Sequence, residues 1–75
     1  MTVLSFGDLG LPRVAIWQRA ALRDLSFCAM EARTVSYMPA LRQMWLDWAL
    51  EAHDKAIAYG ATADALRDAW QGRLL

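Results

Sequence analysis

The chain has 75 residues, of which 57% are hydrophobic and 21% charged, and its eight Lys and Arg balance its eight Asp and Glu. This length excludes a second domain, and a formal charge of zero excludes a generic phosphate-binding surface or a polybasic membrane-surface tail, both of which need surplus cations. Four Trp and eleven Leu are a heavy apolar load for a body this small, because a chain near this length buries only about 60% of its unfolded surface.

Helical signals divide the chain. The first eleven residues, with Val3, Leu4, Phe6, Leu9 and Leu11, read as an apolar arm that docks against the rest. Pro12 suits the first position of a helix because its missing N–H costs nothing there, and a first helix is expected over 12–34. It ends where Thr34, Val35 and Ser36 combine β-branching with competing hydroxyls ahead of Pro39. A second helix is expected over 37–59. Gly60 suits the left-handed residue after a helix, Thr62 suits an N-cap, and a third helix is expected over 63–73. The fold class is therefore all-α: an antiparallel helical hairpin closed by a short third helix, in a single domain.

At about 100° per residue, Val14, Trp17, Ala21, Leu22, Leu25, Cys28, Ala29 and Ala32 share one face of the first helix. Ile16, Ala20 and Phe27 form a narrower stripe among the charges of the other side. On the second helix, Leu41, Trp45, Trp48, Ala49, Ala52, Ala56 and Tyr59 make a core stripe, and Leu46, Leu50, His53 and Ile57 make another beside it. With Trp17 and Trp70 also facing inward, the four tryptophans are expected to meet near one centre. The 4-3-4 spacing of Leu46, Leu50, His53 and Ile57 is that of a seam between paired helices. Three covers are open for it: the N-terminal arm, a second copy of the chain, or a different partner.

Catalytic chemistry finds no constellation. His53, Asp54 and Lys55 are consecutive, so their side chains diverge round a helix. His53 has Ala49 and Ile57 one turn either side, which gives it no second metal ligand. The single cysteine, Cys28, falls on the core face and has no partner for an intrachain disulfide. No cofactor motif is present, and the expected sets of catalytic, cofactor and metal residues are empty. Uncharged runs such as 34–41 are too short to cross a bilayer. With no signal-peptide pattern at Met1 to Phe6 and no disulfide framework, the expected location is the cytoplasm.

Residues 52–71 have the small residue, turn glycine and hydroxyl cap of a helix-turn-helix unit. The second helix of that unit would present Ala63, Asp64, Arg67, Asp68 and Gln71, placing carboxylates where phosphates would lie, so nucleic acid is the disfavoured alternative. The favoured expectation is a non-catalytic interaction module that pairs with itself, with a larger protein or complex, or with both. It would act as an accessory, inhibitory or assembly factor of the kind that phages and mobile elements carry. The expected contact residues are Leu46, Leu50, His53 and Ile57, joined by Ile16 and Phe27, with Arg19 and Arg23 supplying polar rim contacts.

Overall fold

The computed structural model describes residues 6–72, with side chains from Ala15 onward, as three helices: α1 (Phe6–Thr34), α2 (Pro39–Ala58) and α3 (Ala63–Trp70). The expected all-α hairpin with a short third helix is what forms. Helix α1 starts six residues before the expected position, so residues 6–11 are helix and not an arm laid across α2. Pro12 lies within it, where a proline removes the N–H that would bond the Asp8 carbonyl and crowds that carbonyl, so the helix runs through the position with φ still helical but at a cost in stability. Val3 and Leu4 lie outside the described residues, as do the side chains of Phe6, Leu9, Leu11 and Val14.

The hairpin turn is fixed by backbone bonds from Val35 N to Glu31 O and from Met38 N to Val35 O, at 3.0 and 2.9 Å. Met38 is extended (φ −120°, ψ 90°) because the following proline disfavours the helical region for it. Pro39 then opens α2, two residues later than expected. At the far end, Ala61 N bonds Ala56 O and Gly60 N bonds Ile57 O, both at 2.9 Å, with Gly60 at φ +90°. These are the paired reverse bonds of a Schellman cap, and they require the left-handed residue that glycine supplies without strain. Thr62 Oγ1 accepts from Ala65 N at 3.1 Å, which caps the start of α3. Helix α3 stops at Trp70, three residues before the expected end, because Gly72 (φ +78°) forms a second left-handed stop with its N–H on Ala69 O.

The seam between α1 and α2 is lined by small residues. Ala21, Ala29 and Ala32 of α1 and Ala49, Ala52 and Ala56 of α2 are buried, and Leu22 and Leu25 fill the space between them and Ala69 of α3. Short side chains let the two backbones approach closely. The consequence is that the seam absorbs few of the large apolar residues. Leu22 and Leu25 are buried, while Ile16, Trp17, Phe27, Met30, Trp48, Leu50 and Ile57 remain exposed.

Helix α3 lies chiefly against α1. Ser26, fully buried, donates through Oγ to Ala69 O at 2.7 Å, and the Arg33 guanidinium donates to Trp70 O. Ser26 thus adds a second donor to a carbonyl that also accepts from the Gly72 N–H, while Arg33 satisfies one that the helix end leaves open and sets a positive charge at the negative end of α3. Gln18 Nε2 donates to Tyr59 O at 2.8 Å, which ties α1 to the α2–α3 corner.

Candidate interaction surface

Helix α3 covers only one flank of the α1/α2 hairpin. Ser26 and Arg33, seven residues apart on α1, mark the covered flank. Asp24, Cys28 and Glu31 project to the opposite side of the same helix at about 100° per residue. There, Asp24, Phe27 and Cys28 line a groove with Trp48, Glu51, Ala52 and Lys55 of α2.

The aromatic side chains gather along this open flank. Phe27 meets Trp45 edge-to-face with ring centroids 5.7 Å apart, and Trp45 meets Trp48 in the same manner at 5.0 Å. Farther along the hairpin, Trp17 stands edge-on to Tyr59 at 5.6 Å. Such edge-to-face pairs hold the rings in defined positions. They leave the surface apolar, with Trp17 51% and Trp48 46% exposed. This corrects the expectation of one tryptophan centre: Trp17 and Trp48 stand at the edges of their core stripes, and only Trp45 and Trp70 pack against the core. Trp70 is separate again, on the covered flank, where its indole N–H donates to His53 Nδ1 at 3.0 Å.

That bond divides the expected contact stripe of α2. His53 is half-buried against Trp70, and Leu46 is half-buried in a groove shared with Arg33, Arg42 and Trp70. Helix α3 therefore supplies part of the cover that the stripe lacked in sequence. Leu50 and Ile57 are exposed beyond it, at 52% and 51%. On α1, Ile16, Phe27, Arg19 and Arg23 are all exposed. The eight expected residues thus do not form one patch: Phe27 borders the open flank, Ile16, Arg19 and Arg23 lie on the outer face of α1, and the α2 residues lie toward α3. Trp48 belongs to the open flank, outside the core stripe in which its spacing places it, whereas Trp45 is half-buried and packs against the core as expected. The two indoles are three residues, or about 60°, apart on α2, and Trp48 is the one that lies beyond the alanine stripe.

The electrostatics of the groove are acidic on balance, with Asp24 and Glu51 on its walls against Lys55. Burial pushes the pKa of the Cys28 thiol up, and the charges of Asp24 and Glu31 push it further in the same direction. A thiol held neutral in this way is a poor nucleophile. Among the described residues no group of three or more His, Cys, Asp or Glu could hold a metal ion, and no helix is long and apolar enough to cross a membrane. At the α2–α3 corner, the Arg67 guanidinium donates to Asp64 Oδ1 at 2.9 Å, so the cation of the alternative DNA-reading face is paired with its own helix. Comparison of the chain with family models, curated proteins and solved structures returns no match.

Proposed function

We propose that the protein is a non-catalytic interaction module whose open aromatic flank receives a protein partner, in an accessory, inhibitory or assembly role. The observation that carries this reading is the pair of exposed rings, Phe27 and Trp48, held edge-to-face on the half-buried Trp45 on the side of the hairpin that α3 leaves bare. Tryptophan and its aromatic neighbours are the side chains that most often anchor protein interfaces, since each removes a large rigid apolar area from water at low entropic cost. Asp24 and Glu51 beside Lys55 form a charged border round that anchor, the arrangement of an apolar centre within a polar rim.

The test is comparative capture from a lysate of the source cells with three chains: the natural one, Trp48→Glu and Leu50→Asp. The expected result is a defined polypeptide held by the natural chain and by Leu50→Asp. Trp48→Glu should retain it at least about tenfold less well, with the circular dichroism of all three chains alike. A polypeptide released by Leu50→Asp but not by Trp48→Glu would move the contact to the outer edge of α2. Salt-sensitive binding of duplex DNA that Arg67→Ala weakens would instead support a regulator using residues 52–71.

A further inference from the structure

The two flanks of the hairpin carry grooves of opposite charge. Asp24 and Glu51 wall the one on the open flank. The other, of about 380 Å³, lies on the covered flank beside the hairpin turn, and no carboxylate of the described residues lines it. Arg33 reaches it from the last turn of α1, Ser36 from the hairpin turn, Arg42 from the first turn of α2, Leu46 from one turn farther along, and Trp70 from the end of α3, beside the buried Ala29. The volume lies within the roughly 300–1,000 Å³ of small-molecule sites.

We infer that this groove binds a small organic acid, a monocarboxylate with an apolar body about the size of a phenyl ring, its carboxylate on Arg33 and Arg42 and its ring on Leu46 and Trp70. Charge selects the head of the ligand. Two guanidinium groups from adjoining elements border one groove without an acid between them, and a guanidinium offers paired N–H donors that match a carboxylate. Arg42 is exposed and makes no ion pair among the described residues. Arg33 is already held by its bond to the Trp70 carbonyl, which uses one of the five donors of its fork. It therefore loses little side-chain freedom when an acid arrives.

The walls select the rest of the ligand. Leu46 and Trp70 are both half-buried and present aliphatic and aromatic surface, which an inorganic anion would leave unused and which an apolar ring removes from water. Along α2, the cation at Arg42 and the apolar side chain at Leu46 are one turn apart, so one small molecule meets both. The groove of the open flank also offers aromatic surface, but Asp24 and Glu51 repel an acid there. Opposite charge thus keeps the acid on the covered flank and leaves the groove of Trp48 accessible.

Titration of the full 75-residue chain with hydrocinnamate, followed through amide and indole N–H shifts by NMR, tests the inference. The expected result is saturable shifts at Arg42, Leu46 and the Trp70 indole, with a Kd of about one millimolar or below, while the Trp48 indole stays in place. Hydrocinnamide, which lacks the charge, and acetate, which lacks the ring, should each bind at least about tenfold more weakly. Arg42→Gln should cost at least about tenfold in affinity and leave the spectrum of the unliganded chain otherwise unchanged. Arg42 is the decisive site, because Arg33→Gln also loosens α3. Equal affinity for acid and amide, binding that survives Arg42→Gln, no saturation by about ten millimolar, or shifts centred on the Trp48 indole overturns the inference. So do shifts of the same signals on dilution of the unliganded chain, which would give the groove to a second copy. Acetyl-Gly-Gly-Phe held by its free carboxylate at least about tenfold more tightly than hydrocinnamate would give it to a polypeptide terminus and overturn the assignment to a small acid. None of these outcomes bears on the capture of a partner by Trp48.

Discussion

The two flanks of the α1/α2 hairpin carry similar side chains and use them differently. On the covered flank, Trp70 has its indole N–H on His53, Ser26 is buried on the Ala69 carbonyl, and Arg33 closes the end of α3. Every one of these contacts fastens α3 to the hairpin, so each contributes to holding the fold. On the open flank, Phe27 and Trp48 each meet Trp45 edge-to-face and remain about half exposed. The difference shows that aromatic content alone does not mark a core. What separates the flanks is whether α3 lies over the side chains and bonds them.

The largest expected effect comes from removing one indole from each side. Trp70→Ala takes away the apolar contact with α2 together with the His53 bond, and should lower unfolding stability by about 3 kcal/mol. Trp48→Ala removes an edge contact from a half-exposed ring and should cost about 1 kcal/mol. Urea unfolding of the two variants measures the gap, and equal losses would erase the distinction between the flanks. Ser26→Ala comes next. The substitution keeps Cβ and removes only the buried donor, leaving the Ala69 carbonyl with the Gly72 N–H. A loss of about 1–2 kcal/mol is expected. Faster amide exchange in α3 than in the α1–α2 seam would show that the loosening is local.

Much of this architecture is legible in the sequence, and the parts that are not share a cause. The small-residue pattern of Ala21, Ala29, Ala32, Ala49, Ala52 and Ala56 identifies the buried faces, and Gly60 with Thr62 identifies the corner, because periodicity and left-handed turns are local properties. Trp17 and Trp48 fall at the edge of those faces. Whether an edge residue is covered depends on where α3 lies, and that is set by long-range bonds from Ser26 and Arg33 to the carbonyls of Ala69 and Trp70. Neither acceptor has a side-chain signature. His53 illustrates the same point, since it reads as part of a free stripe until Trp70, 17 residues away, is placed over it. The early start of α1 is a different kind of miss, in which a proline read as a boundary is accommodated within the helix.

The smallest expected effect probes the floor of the open flank through Cys28. Burial raises its thiol pKa above the ordinary value, and Asp24 and Glu31 raise it further. An unfolded chain has neither influence, so it ionises first as alkali is added. Because the folded state binds the thiol proton more tightly, the stabilising contribution is complete below the unfolded pKa and is lost as pH rises through the folded one. Stability should therefore fall more steeply on the alkaline side in the natural chain than in Cys28→Ala, with the two profiles parallel at neutral pH. The same protonation predicts slow alkylation of the folded chain by iodoacetamide at neutral pH, and faster reaction in urea, where the thiol is free of burial and of both carboxylates. Asp24→Asn removes one of the two charges and leaves Cys28 where it is, so it should speed alkylation of the folded chain by less than unfolding does. An equal acceleration would mean that the carboxylate, and not the cover provided by Phe27 and Trp48, governs access to the groove floor.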